Sequence, residues 1–220
     1  FSGRLGWAKQ RNCYGKQLTL LCQLEVTYRD NSTQTIVSDN SWKGCSGPLI
    51  ESDFYDGESY DANREIGKGT KWKQVSVFPS PNAIIMAKPN IGVQRQEELA
   101  SVKITEPANG VYIFDLGQNM VGWARLRIRG NRKNDKITIR FGEMLNADGT
   151  LYTVNMRSAK VTDTYICRNS EETVWEPKFT FHGFRYVEIS GLRRKPGKGD
   201  VTGVVLHSGM PSTGKFECSV

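Results

Sequence analysis

The sequence predicts an all-β protein of two tandem antiparallel β-sandwich, jelly-roll-like domains. Three observations carry this expectation. Helical periodicity is nearly absent along the 220 residues. Short apolar or alternating stretches recur instead, each bounded by Gly, Pro, Asn or Asp in turn-forming combinations. Eight or more such stretches occur at the spacing of sandwich or jelly-roll strands, with no repeat of fixed period.

The elements follow in order. Residues 18–28 (LTLLCQLEVTY) form an apolar run that grades into alternation, and the turn Arg29-Asp30-Asn31-Ser32 leads to a second strand at 33–37, together a β-hairpin. Ser38-Asp39-Asn40 leads to Trp42, and Gly47-Pro48 marks a further turn. Residues 53–61 (DFYDGESYD) read as a loop in which carboxylates and tyrosines crowd together, and residues 72–78 as a strand ended by Pro79 and Pro81. A second unit begins near Pro89, with strands expected at 102–105, 111–116, 123–128, 137–141, 162–167, 179–181, 186–189 and 201–207. The stretch from Trp175 to Gly191 reads as two short strands about a Gly183 pivot, with its aromatics in the sheet core.

Composition narrows the function classes. The chain is 38% hydrophobic and 24% charged, an ordinary globular mixture. No apolar run approaches the ~20 residues that span a bilayer, so no membrane partner is expected. No signal peptide is visible, and the opening residues read as the middle of a domain, so compartment is left open. The net charge of +7 gathers in residues 125–136 and in Arg193-Arg194-Lys195 with Lys198, beside turn residues and without interleaved aromatics. That pattern fits solvated hairpin tips rather than a nucleic-acid surface. Five widely spaced cysteines without a CxxC pair, and only two histidines, argue against a structural zinc site.

Several blocks stand in order along the chain: Gly3-Arg4-Leu5-Gly6, Ser52-Asp53-Phe54-Tyr55-Asp56-Gly57-Glu58-Ser59-Tyr60-Asp61-Ala62, Phe114-Asp115-Leu116-Gly117-Gln118-Asn119-Met120-Val121-Gly122-Trp123, Arg140-Phe141-Gly142-Glu143-Met144-Leu145, Thr162-Asp163-Thr164-Tyr165, the block around His182, and Gly214-Lys215-Phe216-Glu217-Cys218-Ser219. Taken together in that order, they resemble the non-catalytic β-sandwich region of bacterial α-L-rhamnosidases (glycoside hydrolase family 78). The resemblance implies that residues 1–80 are the C-terminal part of the family's N-terminal β-sandwich, which is therefore incomplete here. It implies that 89–208 are the second β-sandwich and that 209–220 lead into an (α/α)6 catalytic barrel. The family's catalytic acidic cluster and Gly-Trp-x-Gly-Asp run have no counterpart, so no catalytic residue is assigned and the chain alone is expected to be inactive. The implied substrate class of the parent enzyme is rhamnosides, with inversion at the sugar carbon.

The candidate binding residues are Trp7, Asp56, Glu58, Gln118, Asn119 and Trp123. An inverting glycosidase needs two carboxylates roughly 6.5–9.5 Å apart, and Asp53, Asp56, Glu58 and Asp61 are the one dense acidic group. They read either as a sugar or calcium site or as a surface loop whose Asp and Gly residues cap turns while Tyr55 and Tyr60 pack inward. Gln118 and Asn119, with Trp123 nearby, offer amides and a ring for a sugar, or else form a bulge in which Gly117 takes positive φ. His182 reads as a hydrogen-bonded structural histidine. Some rhamnosidases carry a calcium-dependent rhamnose site on the N-terminal sandwich. The loop after Gly6 here has Trp7 as an aromatic platform but Lys9 and Arg11 in place of carboxylates, so no metal or other cofactor is assigned.

Overall fold

The computed structural model describes residues 10–13, 15, 17–79 and 84–219, so Trp7 and residues 3–6 lie outside the described residues. In chain order the strands are β1 (Gln23–Thr27), β2 (Thr33–Val37), β3 (Lys43–Gly44), β4 (Leu49–Asp53), β5 (Gly57–Asp61), β6 (Lys73–Gln74), β7 (Val93–Ala100), β8 (Lys103–Ala108), β9 (Val111–Ile128), β10 (Lys136–Gly142), β11 (Met144–Leu145), β12 (Leu151–Tyr152), β13 (Thr162–Ile166), β14 (Thr173–Trp175), β15 (His182–Ser190) and β16 (Val201–Ser208). Among the described residues the only helical pieces are three short 3-10 turns, and the protein is all-β.

Two units are interlaced in sequence: Phe1–Pro48 with Arg64–Ile85, and Leu49–Asn63 with Met86–Val220. In the smaller unit, the β1–β2 hairpin runs in register from Gln23↔Val37 to Thr27↔Thr33. Its turn is closed as the sequence requires. Asp30 Oδ1 accepts from the Ser32 N–H at 3.0 Å and the Ser32 hydroxyl at 2.6 Å, and Asn31 adopts the left-handed conformation that Asn tolerates. The strand expected from residue 18 begins only at Gln23, because the partner strand ends at Val37. Residues 18–21 therefore have no ladder to join, and Leu18, Leu20 and Leu21 are exposed. The strand expected at 72–78 shrinks to β6, paired with β3 and tied down by Gln74 Nε2 donating to the Trp42 carbonyl at 2.9 Å.

The larger unit is one ten-stranded sheet ordered β4-β5-β13-β10-β15-β9-β16-β7, with β8 and β14 also paired to β9. The 18-residue β9 replaces the two strands expected at 111–116 and 123–128. Its first part pairs with β8 and β15, and its second with β14 and β16. Phe114 and Met120 from the first part and Ala124 and Leu126 from the second lie in one buried cluster with Phe141, Tyr165, Trp175, Phe184, Ile189 and Val201. The sheet thus folds over its own core, and the two packed layers come from one hydrogen-bonded surface. The layers are not purely antiparallel: β5 and β13 run parallel, Thr164 opposite Ser59 and Ile166 opposite Asp61.

Residues 53–61 are not a surface loop. They belong to the β4–β5 hairpin and sit at the end of the large sheet rather than with the early strands. β15 is one strand from His182 to Ser190, and residues 179–181 are not a strand. Of the aromatics expected in the core there, Phe184 is fully buried, whereas Phe179 and Phe181 are exposed. Of the basic cluster at 125–136, Arg125 and Arg127 are strand residues of β9 and Arg129 lies just past its end, while Arg132 and Lys133 fall in the β9–β10 connection. Arg125 pairs with Glu98 and Glu176, and Arg129 with Glu172 and Asp200. Arg193 grips Asp135, holding that carboxyl down at about 2. All five cysteines are free thiols, and burial pushes the Cys167 thiol up to about 11.

Gly57 turns the β4–β5 hairpin at φ +103°, and a Cβ there would run into the Thr162 carbonyl of the neighbouring strand. Gly57→Ala is expected to destabilise the larger unit by about 3 kcal/mol, from backbone strain added to overpacking. Urea unfolding followed by tryptophan fluorescence checks this, with a lowered midpoint at unchanged m-value.

Candidate functional site

The sequence-predicted residues fall into three separate settings. Asp56 and Glu58 lie in a buried polar brace at the β4–β5 end of the sheet. Asp53 Oδ1 accepts from the N–H groups of Tyr55 (2.8 Å) and Asp56 (3.1 Å), the turn-capping role that Asp residues favour. Asp56 lies 3.6 Å from Lys160 Nζ. Glu58, 2% exposed, accepts at Oε2 from the N–H groups of Lys178 (3.0 Å) and Phe179 (2.9 Å). Its own N–H donates to Asp163 Oδ1 at 2.8 Å, and His182 Nε2 stands 3.1 Å from the same oxygen. His182 also stacks on Phe141, ring centroids 4.3 Å apart. Asp163 Oδ2 is buried without a hydrogen-bond partner among the described residues. These groups tie β5, β13, β15 and the segment before β15 together, and Tyr60 stacks on Tyr165 across the parallel pair.

This arrangement does not suit glycosidic chemistry. Asp53, Asp56 and Glu58 are buried and engaged with backbone N–H groups or Lys160, whereas an inverting pair must face a substrate and a water. Tyr55, expected to pack inward, is half exposed. Among the described residues, no group of three or more His, Cys, Asp or Glu side chains is disposed to hold a metal ion.

Gln118 and Asn119 occupy the second setting. β9 spends residues 116–119 where β15 spends only Arg185, so the strand bulges out of the ladder. Gly117 sits in the bulge at φ +84° and donates its N–H to Asp115 Oδ1 at 2.7 Å. Arg185 closes the base of the bulge with two bonds to Asp115, at 2.8 and 2.9 Å, and that guanidinium holds the Asp115 carboxyl below its usual range. Asn119 Nδ2 donates to Glu143 Oε1 at 3.1 Å, and Asn155 Nδ2 donates to Glu143 Oε2 at 3.1 Å. Glu143 and Asn155 were not among the expected site residues. Nothing in their spacing links them to Asn119, since the bulge and the β10–β11 turn meet only in three dimensions.

Trp123 occupies the third setting, half buried on the second part of β9. Its Nε1 donates to Glu176 Oε2 at 3.2 Å, and Arg95 lies 5.7 Å over its ring. Glu176 also accepts from Arg95 and, at 2.9 Å, from Arg125. The ring is thus one member of a closed ionic network. Of the other tryptophans, Trp175 is buried in the core and Trp72 is half exposed.

The fold and these settings define an all-β protein of β-sandwich type whose dense carboxylates brace the sheet. Residues 1–97 match the alpha-L-rhamnosidase N-terminal domain, and residues 105–207 match the bacterial alpha-L-rhamnosidase concanavalin-like domain. The chain is 43% identical to an alpha-L-rhamnosidase of Streptomyces avermitilis over 94% of its own length and 21% of the relative's. It is 44% identical to one of Formosa agariphila over 99% of its own length and 24% of the relative's. Among solved structures, the Streptomyces avermitilis enzyme complexed with L-rhamnose superposes over all of this chain and 22% of its own, with a TM-score of 0.91 and 41% identity. The native Aspergillus terreus enzyme does so over all of this chain and 26% of its own, with a TM-score of 0.84 and 37% identity. The chain belongs to the bacterial α-L-rhamnosidase family and carries its N-terminal and concanavalin-like domains. It spans less than a quarter of the length of the curated relatives it matches, and no α-helix of a catalytic barrel is found among its described residues.

Glu58 supplies a pH test of the brace. Burial, with the charge of Asp163 adding to it, holds its carboxyl above the usual range despite the two N–H donors. The fold therefore favours the protonated form. That contribution is fully present below the unfolded-state value and is lost as pH rises through the raised folded value. Glu58→Gln keeps an acceptor for both N–H groups and removes the buried charge. It is expected to melt at or above the wild-type temperature at pH 7, with the difference vanishing towards pH 4. Glu58→Ala orphans both donors and is expected to cost about 2–4 kcal/mol. Thermal melts of both variants across pH 4–8 check the pair of outcomes.

Proposed function

We propose that this chain is the non-catalytic β-sandwich part of an α-L-rhamnosidase, and that its work is to support the enzyme's catalytic barrel. Residues 1–80 serve as the C-terminal part of the N-terminal sandwich and 89–208 as the second sandwich, to whose sheet the first part lends its hairpin at 49–63. Residues 209–220 are the connection to the barrel. The parent enzyme removes terminal non-reducing α-L-rhamnose from glycosides with inversion. The observation that carries this reading is the ordered match of both domains over nearly the whole chain, within relatives about four times its length. The parent polypeptide is expected to release the phenol from an aryl α-L-rhamnoside and to give the β-anomer first by proton NMR. The 220-residue chain is expected to give no turnover above background. Turnover by the chain alone, or none by the parent, overturns the reading.

A second reading has its own support. The bulge at Gln118 and Asn119 exposes amides beside Glu143 and Asn155, a polar set of the kind that binds sugar hydroxyls. On this reading Gln118 and Asn119 contact rhamnose, while the buried Asp56 and Glu58 act only by holding the sheet and Trp123 stays in its ionic network. Calorimetric titration with L-rhamnose, with and without calcium, tests it. Saturable heat lost on adding a chelator indicates a metal-assisted site, and saturable heat that ignores calcium indicates amide and ring contacts. No heat at millimolar sugar removes this reading.

A further inference from the structure

Gly183 lacks the reasons that explain other glycines of the sheet. At Gly122 a Cβ would meet the Val204 carbonyl, and at Gly203 it would meet Leu116 and Met120. At Gly183 the backbone is not left-handed, and a Cβ would find only Glu143 Oε1, 4.0 Å away. The fold of this unit has room for a side chain there. A glycine that a strand does not need marks a place where another backbone or a ligand comes close.

The surroundings are apolar and firmly held. Val121, the cross-strand partner of Gly183, is half exposed on the same face. Two residues before Gly183, Phe181 is 45% exposed and packs against Phe54, which is 47% exposed, with ring centroids 5.2 Å apart. Phe179, on the same segment, is 63% exposed. The segment that presents these rings is pinned four times: by Glu58 at the N–H groups of Lys178 and Phe179, by the Ser52 hydroxyl donating to the Phe179 carbonyl, and by the Thr180 hydroxyl donating to the Asp53 carbonyl. A buried carboxylate held above its usual range is a costly way to fix a loop whose side chains then face water. On the far side, Glu143 has each carboxylate oxygen taken by an asparagine amide, giving a satisfied polar rim. The whole is a rigid apolar patch with a flat glycine floor and a polar border, the anatomy of a protein interface.

We infer that this patch is the docking face for the part of the parent polypeptide that follows these two domains. The inference rests on the reading of the chain as the β-sandwich part of a larger rhamnosidase. The extent of the rest of the polypeptide chooses this occupant: about three-quarters of each matching solved rhamnosidase lies outside the region this chain covers. Sugar is the weaker occupant, because the Phe54 and Phe181 rings are tilted by 41° and form no single plane for a pyranose to stack on.

The test is hydroxyl-radical footprinting of the full-length polypeptide, read ring by ring by mass spectrometry. Phe114, fully buried in the core of the same unit, is the internal reference. Phe179 and Phe181 are expected to oxidise within twofold of Phe114, although the exposure seen here would make them at least fivefold faster. Gly183→Trp, which fills the floor, is expected to raise oxidation of Phe179 and Phe181 at least fivefold while Phe114 stays slow, which shows the sandwich still folded. Fast oxidation of both rings in the wild type overturns the inference. So does protection that appears only with added L-rhamnose, the sign of a sugar site, or only at high protein concentration, the sign of a second copy. The readout is independent of turnover. A full-length protein inert on rhamnosides yet protected at these rings would overturn the functional reading and keep the docking face.

Discussion

One strand is hydrogen-bonded into both layers of the larger unit, and the rest of that unit is arranged around it. β9 must keep a single ladder for 18 residues while changing partners from β8 and β15 to β14 and β16. A backbone can make that change only where neighbouring strands approach closely, and Gly122, paired to both His182 and Val205, is that place. The bulge at residues 116–119 takes up the mismatch in length between β9 and β15, and it turns Gln118 and Asn119 out of the ladder. The alternation of β9 then fixes the core, with Phe114, Leu116, Met120, Ala124, Leu126 and Ile128 inward and the ion-paired Arg125 and Arg127 outward.

Buried polar groups do the remaining positioning. Apolar packing is non-directional, and it would not by itself choose the register of the short β5–β13 parallel pair. The bond from the Glu58 N–H to Asp163, and the imidazole of His182 against the same oxygen, permit one alignment of β5, β13 and β15. Such groups cost free energy to bury and give specificity in return when nearly all their bonding capacity is met.

The sequence made some of this legible. The β1–β2 hairpin, with its Asp-Asn turn, and the strands β10, β13 and β16 are readable because turn residues bracket regular apolar patterns. The fold class and the family were readable for the same reason, together with the ordered blocks. Other elements were not. β9 looked like two strands because Gly-Gln-Asn is turn chemistry, and only the partner strand reveals it as a bulge. β4 and β5 looked like a loop because their carboxylates are polar, and only burial shows that they point inward. Phe179 and Phe181 looked like core residues because aromatic side chains usually are, yet nothing in their spacing records that the segment is pinned from beneath by Glu58. The link from Asn119 to Glu143 and Asn155 was equally hidden, since contacts between distant segments leave no local pattern.

The assignment of residues 49–63 to the larger sheet bears on how the chain reaches its native state. The Glu58–Asp163 bond joins residues 105 apart in sequence, and the chain passes between the two units three times. During synthesis the β4–β5 hairpin leaves the ribosome about a hundred residues before β13, the strand it must lie beside. Until then its edge is unpaired and Glu58 has no Phe179 N–H to meet. Closing so long a loop is slow, and the open edge invites wrong partners in the interval. Nascent chains of this architecture are therefore natural clients for chaperones, and a cut placed between the two family domains would remove a structural member from the sheet on its far side.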